Sequence, residues 1–316
     1  PMNWATGVDP ETGRPIEVPE ARFTDRPIHV TPGALGAHNW HPMSFNPRTG
    51  LVYIPAQRNS YAYGHEEDFQ YQEGVWNTGI GPTEDAVGEP VPPSGFLLAW
   101  DPVAQEERWR VEYDDMWNGG TLSTGGDLVF QGTSDWRFVA YRATDGEQLW
   151  EVAVPTGVIG GPISYELDGT QYIAVMAGWG GVYGLRTGGR GSTGRLLVFA
   201  LGGTESLAAD PAAAPEEREP PTTAIPVNAS EEAVARGAEI YAQQCAQCHG
   251  PAAMSGGVIP DLRYADPEVY ESFEDIVLAG TRSEQGMPSF SQWLDAEDVE
   301  AVRAYVLSRR AALTED

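Results

Sequence analysis

Apolar residues along the chain follow two periods, one on either side of a polar break. Before about residue 203, Leu97-Leu98-Ala99-Trp100, Leu128-Val129-Phe130, Phe138-Val139-Ala140-Tyr141 and Tyr172-Ile173-Ala174-Val175-Met176 are short runs of β-formers between Gly, Asp and Asn clusters. Such runs predict strands joined by turns. They also repeat: Ala99-x-Asp101 is followed by Trp109, and Ala140-x-Arg142-x-x-x-Gly146 by Trp150. The Ala-to-Trp spacing is ten residues in both copies, which lie 41 residues apart. Gly7-x-Asp9-Pro10-x-Thr12-Gly13 is a fainter copy, and Leu196-Leu197-Val198-Phe199-Ala200 reads as a closing strand. A period near 40 with about four strands per repeat predicts a β-propeller, and residues 1–203 supply about four blades. A propeller usually needs more to close, so part of the ring is expected elsewhere. The first repeat begins within a few residues of Pro1, and Pro1-Met2-Asn3-Trp4 shows neither a charged nor an apolar leader region. The chain therefore reads as the C-terminal portion of something longer.

After the break the period becomes helical. Residues 231–244 follow Ser230 as a candidate N-cap; Asp266-Pro267 opens a second helix that Gly280 ends; Asp295 opens a third, with Val299, Val302 and Val306 on one stripe. The break itself, residues 204–227, is rich in Ala, Pro and Glu and buries too little apolar surface to fold, so it reads as a stiffened linker. The expected architecture is an all-β propeller portion over 1–203, that linker, and an all-α domain over 228–316.

Composition narrows the function. The formal charge is −27, and all 19 basic residues are Arg. That balance argues against nucleic-acid binding, and the absence of Lys removes P-loop and Schiff-base chemistry from this chain. No run approaches the length of a membrane-spanning helix.

The only two cysteines lie in Cys245-Ala-Gln-Cys248-His249. Two thiols three apart at a helix end can add to the two vinyl groups of one haem, and the next residue then presents its imidazole to the iron. A thioredoxin-like pair would sit in a βαβ context, and a zinc site would need further Cys or His; no histidine follows His249. The all-α region thus reads as a c-type cytochrome domain of a size that could hardly fill a core without its haem. Met287, in Gly286-Met287-Pro288, is the candidate sixth ligand, 38 residues downstream. Met254 lies five residues past His249, too close to reach the opposite haem face. Pro260 resembles the proline whose carbonyl holds the iron-ligating imidazole in small cytochromes c. Covalent haem attachment in bacteria takes place outside the cytoplasmic membrane, which predicts a periplasmic protein.

Gly36-Ala37-His38-Asn39-Trp40-His41-Pro42-Met43, Trp117-Asn118-Gly119-Gly120-Thr121 and Gly178-Trp179-Gly180-Gly181, followed by C-x-x-C-H, resemble the C-terminal half of the pyrroloquinoline quinone (PQQ) alcohol dehydrogenases of the quinohaemoprotein subgroup. The resemblance implies part of an eight-bladed propeller that holds PQQ and Ca²⁺ near its axis. It implies that Asn39 and Trp40 contact PQQ, that Val182 edges the quinone, and that Trp117 and Trp179 belong to the same neighbourhood. An amide there can bond the quinone's polar edge while apolar groups exclude water. The family's Ca²⁺ ligands, catalytic aspartate and vicinal disulfide belong to the N-terminal half, and no residue of this chain is assigned the catalytic role. The implied activity is oxidation of an alcohol to an aldehyde or ketone, with electrons leaving through haem c to an acceptor such as a soluble cytochrome c or blue copper protein. The implied partner is an N-terminal half of the propeller, nicked or separate. The competing reading is an electron-transfer module whose propeller only docks partners. Residues 58–95, with Tyr61, Tyr63, Phe69, Tyr71 and Trp76, form a long aromatic insertion of the kind that is usually functional or disordered.

Overall fold

The computed structural model describes residues 2–71, 77–81, 83, 85–178, 194–205, 220–255 and 259–313. Trp76, Trp179, Val182 and most of the expected linker lie outside them. Among the described residues, the strands fall in one compact unit and the α-helices in another.

The sheet unit opens with a hairpin, β1 (Ala5–Val8) and β2 (Pro15–Glu17). Strands β3 (Ile28–Val30), β4 (Ser44–Asn46), β5 (Leu51–Arg58), β6 (Tyr61–Tyr63), β7 (Ser94–Asp101) and β8 (Glu106–Tyr113) follow. β4, β5, β7 and β8 make one antiparallel four-stranded blade, and β3 pairs with β6 beside it. Strands β9 (Thr121–Ser123), β10 (Leu128–Gly132), β11 (Arg137–Arg142) and β12 (Gln148–Ala153) make a second four-stranded blade. β13 (Ile163–Leu167), β14 (Thr170–Ala177) and β15 (Arg195–Ala200) make a three-stranded sheet. The described strands thus form two full blades, one of three strands, and two short pairs where the repeat arithmetic leaves room for another blade. The aromatic insertion is tied down by short pairings: β6 on β3, His65 with Ile80, and Val87 with Ile28.

The ten-residue spacing now has a cause. Ala99 sits directly across from Trp109, and Ala140 across from Trp150, each just before a register shift in the hairpin. Asp101 and Asp145 close the two turns by accepting backbone N–H groups from Val103, Ala104 and Glu147. Each tryptophan then packs on the next sheet. Trp109 Nε1 donates to Ala143 O at 3.1 Å, and its ring covers Gly146, where a Cβ would lie 2.6 Å from the indole. Trp150 meets Phe199 of β15 edge-on at 5.4 Å.

In the helical unit, α1 (Glu231–Ile240) is capped by Ser230, whose hydroxyl accepts from Ala233 N at 3.2 Å. The helix widens to a π stretch over Tyr241–Cys245 and ends in one last turn, α2 (Ala246–His249). The second predicted helix keeps both predicted ends but is interrupted: α3 (Pro267–Glu271) leaves helical geometry at Ser272, helix resumes at 273–274, and a π stretch over Asp275–Ala279 closes at Gly280, whose φ is 66°. α4 (Ala296–Ala311) starts at a reciprocal cap between Asp295 and Asp298. α1 and α4 cross so closely that a Cβ at Gly237 would lie 1.9 Å from Ala301 O. Val299, Val302 and Val306 face a core with Tyr241, Tyr270 and Phe273, as their spacing predicts. Ile225 and Val227, the last apolar residues of the proline-rich stretch, pack against this core, and Arg310 donates to Thr223 O at 3.3 Å.

Candidate functional site

The chain carries two sets of candidate groups, one in each unit. In the helical unit, the π stretch brings Cys245 to the edge of the core, where burial and then the neighbouring Cys248 push its thiol up to about 12. Cys248 is exposed, and neither cysteine is in a disulfide. His249 Nδ1 lies 3.2 Å from Pro260 O, which leaves Nε2 as the nitrogen free to ligate. Burial lowers the imidazole's pKa, and the Pro260 carbonyl partly offsets this. Burial favours the neutral ligand, and the Pro260 contact fixes its tautomer. Met287 packs against the same core as Cys245, whereas Met254 is exposed and does not. Two free thiols, one of them against the same apolar cluster as the Met287 thioether, and an oriented imidazole fit a covalently held haem with His and Met on its iron.

In the sheet unit, the first two of the three motifs come together. Asn39 Nδ2 donates to Leu35 O at 2.9 Å, and its Oδ1 accepts from Trp40 N at 2.9 Å. One amide N–H of Asn39 stays uncommitted, so the side chain is fixed yet keeps a donor. Trp40 is 57% exposed and stacks on His41, with ring centroids 4.1 Å apart. His41 is buried, meets the Trp117 ring edge-on at 5.1 Å, and its Nε2 has no hydrogen-bond partner among the described residues. Burial, reinforced by His38, holds its pKa down to about 4. Thr121 N donates to Pro42 O at 2.8 Å, locking the two motifs to each other. Gly178, the head of the third motif, donates to Gly157 O and bridges Val158, whose carbonyl would crowd any side chain at Gly119. Trp179 and Val182 follow beyond the described residues.

An exposed indole face, a half-committed amide and a buried second indole fit one wall of a planar, polar-edged quinone. Sequence reasoning overlooked His41 as the ring between the two indoles, and it overlooked Gln131. The signal for Gln131 was an uncharged polar residue inside the apolar strand Leu128-Val129-Phe130-Gln131. Among the described residues no group of three or more His, Cys, Asp or Glu is placed to hold a metal ion. No described helix is long and apolar enough to cross a membrane.

Comparison with known proteins identifies the family of each part of the chain. Residues 68–173 match the family described as glucose/ethanol/alcohol dehydrogenase, beta-propeller domain, and residues 232–306 match that described as cytochrome C oxidase, cbb3-type, subunit III. The chain is 47% identical to quinohemoprotein alcohol dehydrogenase ADH IIB of Pseudomonas putida, over 98% of its own length and 45% of that protein. It is 40% identical to 1-butanol dehydrogenase (cytochrome c) of Thauera butanivorans, over 99% of its length and 46% of that protein. The solved structure of ADHIIG from Pseudomonas putida superposes with a TM-score of 0.84 at 37% identity, covering 100% of this chain and 48% of the other. That of the Comamonas testosteroni enzyme gives 0.75 at 39%, covering 99% and 46%. The chain spans about half the length of the curated relatives it matches. Homology along nearly its whole length, with a propeller portion followed by a cytochrome domain, places this chain in the quinohaemoprotein alcohol dehydrogenase family.

Proposed function

We propose that this chain supplies one wall of a PQQ site and the electron exit of an enzyme that oxidises an alcohol to an aldehyde or ketone. The observation that carries the reading is the locking of Asn39-Trp40-His41-Pro42 onto Trp117–Thr121 in a chain that also carries Cys245, Cys248 and His249. When bound, PQQ supplies a two-electron acceptor, haem c a one-electron relay, and Ca²⁺ a Lewis acid. Asn39 presents its free N–H to the quinone's polar edge, Trp40 and Trp117 exclude water from its ring, and Trp179 and Val182 complete that neighbourhood. Cys245 and Cys248 tether the haem. His249, oriented by Pro260, and Met287 hold its iron, and a thioether ligand suits a higher-potential electron-transfer centre. The catalytic aspartate and the Ca²⁺ ligands belong to an N-terminal half of the propeller, nicked or separate. Residues 1–203 form the propeller portion, 204–227 the linker and 228–316 the cytochrome domain. The external acceptor is a soluble cytochrome c or blue copper protein, and the protein works in the periplasm. The test is to express residues 1–316 alone and with the N-terminal half, then follow haem reduction by alcohol with PQQ and Ca²⁺ supplied. Reduction only when both pieces are present supports the reading, and full activity from this chain alone overturns it.

A further inference from the structure

Trp117 has φ +71° and is 5% exposed. A left-handed backbone is rare for a bulky residue and persists only where its surroundings over-determine it. Trp136, with φ +70°, sits in the tight turn between β10 and β11, where such a value is ordinary. Trp117 instead lies in the crossover from β8 of one blade to β9 of the next, so no hairpin turn imposes its conformation.

Around it lies a buried polar frame. Asn118 Nδ2 donates back to Asp115 O at 2.8 Å, closing the loop around Trp117. Its Oδ1 accepts from Ser134 N at 3.0 Å and from Ser134 Oγ at 3.4 Å. Gly119 N donates to Gly132 O at 2.9 Å. Gln131, fully buried in β10, donates from Nε2 to Gly119 O at 2.8 Å. Its Oε1 accepts from Tyr113 Oη at 2.8 Å, and Tyr113 Oη lies 3.1 Å from Tyr141 Oη. A Cβ at Gly95 would lie 2.4 Å from Asn118 Nδ2, so β7 also leaves room for this frame. Both amide heteroatoms of Gln131 and of Asn118 are thus engaged with the loop around Trp117 or with its supports. A buried network of this kind specifies a single arrangement when fully satisfied.

We propose that Gln131, buttressed by Tyr113 and joined by Asn118, is a positioning residue that fixes Trp117 in its left-handed conformation as a preorganised part of the PQQ wall. This rests on the reading of Trp117 as a residue of that wall. Gln131 touches no cofactor and acts through the Gly119 carbonyl.

The test uses the complete enzyme, stripped of PQQ and re-titrated with PQQ in the presence of Ca²⁺, with affinity read from quenching of tryptophan fluorescence. The unfolding temperature of the PQQ-free form and the haem absorption spectrum are recorded alongside. Gln131→Leu strands the Gly119 carbonyl and leaves the Tyr113 hydroxyl only Tyr141 Oη, and is expected to raise the PQQ dissociation constant about tenfold. Tyr113→Phe removes only the buttress and should raise it less, and the haem spectrum should not change in either variant. If the unfolding temperature falls while the dissociation constant stays within about twofold of the parent, the network is merely structural and the proposal fails. Should Gln131→Leu not fold, Tyr113→Phe decides by the same two outcomes. Trp117→Phe separates the two readings. If it leaves PQQ affinity unchanged, Trp117 is no part of the wall. If it weakens PQQ while Gln131→Leu and Tyr113→Phe do not, the wall stands and the positioning role falls.

Discussion

In the sheet unit Trp117 sits beside Asn118, Gln131 and the backbone of Gly119, all buried and hydrogen-bonded. In the helical unit Cys248 is exposed, and His249 is held by a single side-chain hydrogen bond, to Pro260 O. On the proposed reading of the two sites, the contrast follows from how each cofactor is retained. A covalent tether fixes the haem whatever the looseness around it, so one oriented imidazole suffices. A quinone bound without a covalent bond gains affinity only from groups ordered in advance, and order has to be built into the blades.

The largest effect expected from this contrast comes from breaking the tether. Replacing both Cys245 and Cys248 by Ser should abolish covalent haem, seen as loss of haem staining on a denaturing gel. It should also unfold the helical unit, whose small core depends on the haem. The sheet unit should keep its own unfolding transition; a concerted loss of both would break the comparison.

Next come the close approaches. Gly237→Ala drives a methyl into the Ala301 carbonyl, where α1 cannot withdraw without opening its crossing with α4. The expected loss is about 3 kcal/mol in the helical unit's stability. Gly146→Ala, at φ +77° under the Trp109 ring, should cost about 2 kcal/mol in the sheet unit, because the indole can shift where a backbone carbonyl cannot. Chemical denaturation followed by haem absorbance and by tryptophan fluorescence separates the two.

His41 gives the sheet unit a pH dependence. Its folded pKa, near 4, lies below the ordinary 6.5, so between those values the unfolded chain binds a proton that the folded one excludes. The stabilisation is complete above pH 6.5 and is lost as pH falls towards 4. The expected loss is about 2 kcal/mol, allowing for the solvent admitted beside the exposed Trp40. His41→Gln should flatten that slope, and an unchanged slope would place the titration elsewhere.

Met287→Ala should lower the haem potential and remove the sulfur-to-iron charge-transfer band in the near infrared, at little cost in stability. Met254→Ala should change neither. Persistence of the band in Met287→Ala would exclude Met287 as the ligand.

How much of this was legible depended on whether a role leaves a local trace. Ala99 with Trp109 and Ala140 with Trp150 were visible because cross-strand partners in a hairpin sit at a fixed spacing. Cys245-Ala-Gln-Cys248-His249 was visible because haem chemistry dictates it. Gln131 was not: its partners, Gly119 and Tyr113, lie on other strands and loops, and one polar residue in a strand does not announce what it meets. The break in the second helix was hidden too, because Pro267 and Gly280 mark its ends correctly while Ser272 interrupts it without a breaker.

The smallest expected effect concerns the surfaces, where Arg is the only cation either unit has. Arg58 donates from both Nη atoms to Glu112, at 2.6 and 2.9 Å, and lies over the Phe96 ring at 4.6 Å. Arg236 donates to Glu297 and Asp298 at 2.7 Å each, with no ring of the described residues beneath it. The fork geometry and the ring restrict Arg58 before the pair forms, so less side-chain freedom is lost on pairing. Glu112→Gln should therefore destabilise the sheet unit by less than about 1 kcal/mol at low salt, fading as salt rises. Glu297→Gln should leave the helical unit's denaturation midpoint unchanged at any salt. The two midpoints, measured at low and high ionic strength, decide the matter. A salt-independent loss in Glu112→Gln would mean that the carboxylate holds structure through its shape and hydrogen bonds, and that the charge contributes nothing.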